Sequence, residues 1–175
     1  MDDTNKEIAE LYQADQSDRL GVFGDEERMN AMTRNDKVRL VRAREIFVEH
    51  VAGRVHLLPE SLYFLAMLFQ HNPDEPDFLN AKTLADEAAE TGYEKGKWLS
   101  AAAEDRYLLH SGGKQKWGTQ FRKPKDGDWE QFPMQFDAES GVTDEMRADR
   151  DIPPRNVQLE RFLERQNAWE SKTAL

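Results

Sequence analysis

The chain contains no cysteine among its 175 residues. Disulfide bonds, thiolate zinc sites and a cysteine nucleophile are therefore excluded. Long apolar runs are also missing, since the longest extends from Leu62 to Phe69, far short of the roughly 20 residues that cross a bilayer. The N-terminal segment has neither the basic start nor the apolar core of a signal peptide. We therefore expect a soluble, cytoplasmic protein that has no membrane partner.

Basic residues are in the minority. The 24 lysine and arginine residues are outnumbered by 34 aspartate and glutamate residues, which gives a formal net charge of −10. Phosphate backbones bind to net basic faces, so this excess of acid argues against a nucleic-acid partner. A local basic segment lies between Lys114 and Lys125, and we interpret it as a solvated loop beside acidic neighbours.

Common cofactor and nucleophile motifs are absent from the sequence as well. It has no His-x-x-x-His or His-x-x-Glu pair, no phosphate loop, no dinucleotide fingerprint and no Gly-x-Ser-x-Gly motif. We therefore expect neither a metal site nor a cofactor. These absences leave open whether the protein is an enzyme.

Helical periodicity dominates the first two thirds of the chain. The first predicted helix runs from about Thr4 to Leu20, the second from about Thr33 to Gly53 and the third from about Pro59 to His71. The third helix is apolar on all sides, which predicts that it is the central buried helix.

Residues 76–111 contain two further apolar stripes that are rich in alanine and are separated by a short connection after Gly92. Small residues let two helices approach closely, so this segment is predicted to form an antiparallel αα-hairpin. The hairpin resembles one unit of a Sel1-type or tetratricopeptide repeat. No second copy follows, and an extended array is therefore not expected.

After Thr119 the apolar pattern changes to period two, which predicts a short β-hairpin. Residues 137–151 are expected to be irregular apart from one helical turn, and Pro153-Pro154 introduces a last helix. The predicted fold is mainly α, a single domain over residues 1–175 with five to six helices. Its helical core covers about residues 4–111, and the β-hairpin and tail helix cover about residues 117–171.

Polar side chains lie in or beside the apolar stripes, where an unpaired polar group costs a few kcal/mol. His71 is the acid–base candidate because the ordinary imidazole pKa is near neutrality, although a histidine there could also bond a free helix-end carbonyl. Asp15 and Arg19 form either a partly buried network or a surface ion pair. Asp105 could act as a base, orient His71, or only lock Arg106.

Four motifs carry a family resemblance. They are Asp15-Gln16-Ser17-Asp18-Arg19, Gln70-His71, Asp105-Arg106 and Trp117-Gly118-Thr119-Gln120-Phe121. With them the chain resembles, over most of residues 9–165, a widespread and mainly bacterial family of small domains of unknown function. Members usually carry Tyr or Phe where this chain has Trp117, and Gly-Leu where it has Arg150-Asp151-Ile152. The resemblance implies a polar site at the motifs and supplies no established activity.

Two functional hypotheses follow from these residues. The first is a site that binds a small polar or anionic molecule. Acid–base catalysis by His71 with Asp15 or Asp105 could take place at this site. The predicted ligand-binding residues are Gln16, Arg19, Gln70, Arg106, Gln115, Thr119 and Gln120. We expect one cluster to contain Asp15, Arg19, Gln70, His71, Asp105, Arg106, Thr119 and Gln120. The alternative is a helical-repeat-like module that binds a protein partner and in which the polar cluster is purely structural.

Overall fold

The computed structural model describes residues 3–22, 25–71, 77–125 and 127–173, with side chains up to residue 168. Residue 76, where the αα-hairpin was expected to begin, lies outside these ranges. Within them the helices are α1 (Asp3–Arg19), α2 (Glu26–Val51), α3 (Pro59–Gln70), α4 (Phe78–Glu90), α5 (Lys95–His110), α6 (Asp137–Ser140), α7 (Asp144–Ala148) and α8 (Gln158–Thr173). The strands β1 (Phe121–Arg122) and β2 (Glu130–Gln131) pair antiparallel. The prediction of a mainly α fold with a short β-hairpin is confirmed.

Contacts divide the chain into two compact units, Met1–Ser100 and Ala101–Leu175, and the division falls inside α5.

The third helix is central to the first unit. It packs against α1, α2 and α4, and its Leu65 and Phe69 are fully buried. Phe69 meets Phe47 of α2 edge to face at 5.5 Å, and Phe64 stacks on Tyr12 of α1 at 4.1 Å. The absence of a polar stripe on α3 thus predicted its position correctly, because each side of the helix contacts a neighbour.

The second helix begins at Glu26, earlier than the predicted start near Thr33. Asp25 caps its N-terminus by accepting a hydrogen bond from the backbone N–H of Arg28 at 3.0 Å. The added turns are largely exposed and carry no apolar stripe, so periodicity gave no signal there. A side-chain cap and acidic residues in the first turn stabilise this end instead.

The fourth helix and the start of α5 approach each other closely at Gly96. A Cβ atom added to Gly96 would lie 2.8 Å from the backbone nitrogen of Ala89 and closer still to the carbonyl oxygen of Ala85. Only a glycine fits between these two backbones, which agrees with the small-residue packing expected for the αα-hairpin.

The second unit combines the β-hairpin with α8 around aromatic rings. Phe162 of α8 stacks on Phe121 at 4.1 Å and meets Trp129 edge to face at 4.9 Å. Residues 137–151, expected to hold one helical turn, contain the two short helices α6 and α7. Arg147 of α7 is fully buried and connects the two helices. It bonds to Asp137 of α6 at 2.7 Å and to Asp144 of α7 at 2.9 Å.

Candidate functional site

Two of the predicted catalytic residues meet in the first unit. Asp15 lies on the buried side of α1, and His71 directly follows the last residue of α3. The imidazole Nδ1 atom lies 2.9 Å from Asp15 Oδ2 and 3.2 Å from Oδ1. An ionised carboxylate only accepts hydrogen bonds, so Nδ1 carries a hydrogen and the orientation of the ring is fixed.

Further side chains contact the Asp15 carboxylate. The carboxylate is 1% exposed and accepts a hydrogen bond from Gln16 Nε2 at 2.8 Å. It forms an ion pair with Arg19, whose Nη1 atom lies 2.9 Å from Oδ1 and donates to the backbone carbonyl oxygen of Asp15 at 3.0 Å. Burial acts to raise the pKa of Asp15, but the hydrogen bond and charge of His71 and the charge of Arg19 outweigh it and lower the pKa. Asp15 is therefore an ionised acceptor that positions the imidazole.

A charge network surrounds this pair. We use that name for the carboxylates of Asp15, Asp18 and Asp36 together with the guanidinium groups of Arg19 and Arg39. Arg19 contacts Asp36 at 2.9 Å, and Arg39 bridges Asp36 at 2.7 Å and Asp18 at 2.8 Å. Three negative groups and two positive groups leave one net negative charge, which a protonated His71 would neutralise.

Sequence reasoning missed Asp36 and Arg39 as members of this network. Neither residue is among the predicted site residues, yet Asp36 is 5% exposed and Arg39 is 7% exposed. The signal was available, since Asp36 lies four residues before the buried Leu40 on the same side of α2. A charged residue on an apolar stripe was the same observation that pointed to Asp15.

A second polar group is organised around Asp105 in the other unit. Its buried carboxylate accepts hydrogen bonds from the backbone N–H groups of residues 116, 117, 118 and 119, at 2.6–2.9 Å, and from the Thr119 hydroxyl at 2.8 Å. Burial raises the pKa of Asp105, and the hydrogen bonds from Trp117 and Thr119 oppose that rise. These donors already occupy both carboxylate oxygens, so the geometry is that of a loop anchor.

Amide side chains hold the rest of this loop through hydrogen bonds. Gln115 is fully buried, donates to the carbonyl oxygen of Phe132 at 2.7 Å and accepts from the backbone N–H of Gln120 at 2.9 Å. The Gln120 side chain accepts from Arg106 Nε at 3.0 Å and donates to the Thr119 hydroxyl at 2.8 Å. The predicted binding residues of this unit therefore bond largely to one another.

This loop needs a glycine at position 118. Its φ is +93°, and an added Cβ would lie 2.7 Å from Cδ of Gln158, whose amide bonds to the carbonyl oxygen of Trp117 at 2.9 Å. A side chain of α8 therefore approaches the backbone closely at Gly118.

Gln70 is placed beside His71 in sequence, but its side chain turns to its own helix. It is 4% exposed, and its Nε2 donates to the Met67 sulfur at 3.0 Å. The structure thus brings together Asp15, Gln16, Arg19 and His71 in one unit, and Asp105, Arg106, Gln115, Thr119 and Gln120 in the other. The convergence of both groups in one cluster stays a prediction.

A recess of about 420 Å³ lies in the second unit beside Pro153 and Pro154, with Arg161 and Arg165 of α8 also lining it. None of the predicted site residues lines this recess. Among the described residues there is no group of three or more carboxylate and histidine side chains that could hold a metal ion. Within the same ranges, every helix is too short or too polar to cross a bilayer.

The chain matches no family model, and it has no significant similarity to a curated protein or to a solved structure. The resemblance to a bacterial family of unknown function therefore stays a prediction that rests on its motifs.

Proposed function

We propose that Asp15 and His71 form an acid–base pair that acts on a small polar or anionic molecule. His71 takes up or donates the proton, and Asp15 holds the ring and compensates the charge on the protonated imidazole. The observation that carries this proposal is the 2.9 Å contact between His71 Nδ1 and a carboxylate that is itself held by Arg19 and Gln16.

The energetics of the charge network support this assignment. Taking charged groups out of water costs several kcal/mol for each ion, and well-packed apolar side chains often stabilise a core as well as a buried ion pair does. Asp15, Asp36 and Arg39 are nevertheless each less than a tenth exposed. Such an arrangement is expected where a titratable group must be held in one geometry, and the His71 side chain it supports is 12% exposed.

Arg19 has a different role in this proposal from the one expected from the sequence. Either Arg19 or Arg106 was expected to hold an anionic group of the ligand, but the guanidinium of Arg19 is engaged by Asp15 and Asp36. We therefore assign Arg19 to the support of Asp15.

One element of the alternative hypothesis, a structural role for the polar groups, is supported at Asp105. The Asp105 carboxylate receives hydrogen bonds at both oxygens, which suits a side chain that fixes a loop. We accordingly propose no catalytic role for Asp105.

The proposal is tested by nuclear magnetic resonance of protein labelled in its histidine rings. Inorganic phosphate, acetate and acetamide are the probes, since they represent a dianionic, a monoanionic and a neutral polar group. We expect at least one probe to shift the His71 ring resonances in a saturable manner, and we expect the response to weaken in Asp15→Asn. The exposed His110 serves as the internal control. Equal responses of His71 and His110 to all three probes would contradict the proposal.

A further inference from the structure

The outer members of the charge network are arranged around Arg19. Asp36 accepts from both terminal nitrogens of Arg19, at 2.9 Å from Nη2 and 3.3 Å from Nη1. The same Nη1 atom lies 2.9 Å from Asp15 Oδ1. Asp36 therefore fixes the direction in which Arg19 presents its hydrogen-bond donors to Asp15.

Arg39 acts on the same carboxylates from α2. Its Nη2 atom bonds to Asp36 at 2.7 Å, and its Nη1 atom bonds to Asp18 at 2.8 Å. Its buried Nε has no hydrogen-bond partner among the described residues and lies 4.0 Å from Asp15 Oδ1. At that distance Arg39 influences Asp15 through charge rather than through a hydrogen bond.

We infer that Asp36 and Arg39 are positioning residues that control the charge state of His71 through Arg19 and Asp15. This inference rests on the proposed function of the Asp15–His71 pair and specifies how that pair is regulated. Within the part of the chain that the structure describes, Asp15 of α1 contacts the imidazole, and Arg19 of α1 with Asp36 and Arg39 of α2 lies behind that carboxylate.

The two residues carry opposite charges, so their effects on His71 have opposite signs. Removing the negative charge of Asp36 also releases Arg19 toward Asp15, and both changes make a protonated imidazole less favourable. Removing the positive charge of Arg39 leaves Asp15, Asp18 and Asp36 less compensated, which makes the protonated imidazole more favourable. A loss of packing alone has no reason to produce opposite effects.

The experiment is a pH titration of the His71 ring resonances in the full-length chain. In Asp36→Asn we expect the proton affinity of His71 to fall, and in Arg39→Gln we expect it to rise, each by about three- to tenfold. Asp36→Glu and Arg39→Lys keep the charges and should return the midpoint toward that of the wild type. The exposed His110 is the internal control in every variant.

Shifts of the same sign in Asp36→Asn and Arg39→Gln, or no shift in either, would overturn the inference. Asp18→Asn covers the case in which a buried variant fails to fold, because the Asp18 side chain is 29% exposed and bonds to Arg39. It should lower the proton affinity of His71 in the same direction as Asp36→Asn, and an unchanged midpoint would also count against the inference. Opposite shifts in a protein whose His71 ignores every probe would sustain the positioning role and reject the proposed ligand site.

Discussion

At the scale of single residues, two buried aspartates have different roles because their surroundings differ. The Asp15 carboxylate is paired with Arg19 and His71, whereas the Asp105 carboxylate accepts hydrogen bonds from backbone N–H groups and one hydroxyl. The first arrangement couples the carboxylate to a proton-carrying group. The second uses the carboxylate as a fixed acceptor for a loop whose N–H groups would otherwise be buried without partners.

We predict that Asp105→Asn destabilises the protein by about 3 kcal/mol or more, because the amide NH₂ group would face backbone N–H donors and leave buried groups unsatisfied. Urea unfolding of the purified variant measures the change in the free energy of unfolding. The matched control is Asp128→Asn, which makes the same change at an exposed position of the same unit. Equal unfolding midpoints for the two variants would show that Asp105 does not anchor the loop.

The sequence could identify individual polar residues but not their partners. The place of Asp15 on an apolar stripe left a partly buried network and a surface ion pair open, and in the structure Asp15 is 1% exposed. The pairing of Asp15 with His71 depends on how α1 packs against the end of α3. Asp36 joins the charge network only because α2 brings it to Arg19. Contacts between residues far apart in the chain leave no local periodic signal, so the stripe of α2 could indicate that Asp36 is buried but not that it pairs with Arg19.

At the scale of elements, apolar periodicity located the long helices but not all of their ends. The boundaries of α3 agree with the prediction within one residue, because Pro59 marks its start and the apolar run ends at Phe69. The first turns of α2 escaped prediction because capping, rather than burial, stabilises them. Element ends therefore depend on single hydrogen bonds that an apolar pattern does not record.

The contact between α4 and α5 gives a prediction at this scale. Gly96→Ala should destabilise the protein by about 1–3 kcal/mol, although alanine has the higher helix propensity, because its Cβ would collide with backbone atoms of Ala85 and Ala89. Thermal unfolding followed by circular dichroism measures the effect. Gly127→Ala is the control, since a Cβ there would lie 3.4 Å from the nearest atom of Pro124, which is ordinary contact. A Gly96→Ala protein at least as stable as Gly127→Ala would refute the close approach.

At the scale of the whole molecule, acidic groups determine how the protein responds to pH. The chain carries a formal net charge of −10, and several of its carboxyl groups are paired with arginine. A hydrogen bond from Arg42 lowers the pKa of Glu7, and one from Arg147 lowers the pKa of Asp137. Burial acts to raise the pKa of Asp18, but bonds from Asn35 and Arg39 lower it overall. Asp105, whose pKa is raised, contributes in the opposite direction.

Asp15 provides the test of this response. Its pKa is lower in the folded chain than in the unfolded chain, so as the pH falls the unfolded chain takes up the proton first and the folded state loses stability. The stabilisation is complete above about pH 5 and is lost as the pH falls from about 4 through the lowered folded pKa. We predict that Asp15→Asn costs about 1.5–3 kcal/mol at pH 7, as for a hydrogen bond to a charged group, and progressively less below pH 4.

Urea unfolding of both proteins at pH 7, 5, 4 and 3 measures this difference directly. Glu10→Gln is the control, because the Glu10 side chain is 66% exposed and lies 3.8 Å from Lys6 on the same helix. That variant should follow the wild-type curve at every pH, since an exposed ion pair contributes little to stability. A cost of Asp15→Asn that stays constant from pH 7 to pH 3 would mean that the substitution acts through shape alone. It would also remove the electrostatic basis for coupling Asp15 to His71, because a carboxylate that does not respond to protonation cannot compensate the charge of an imidazole.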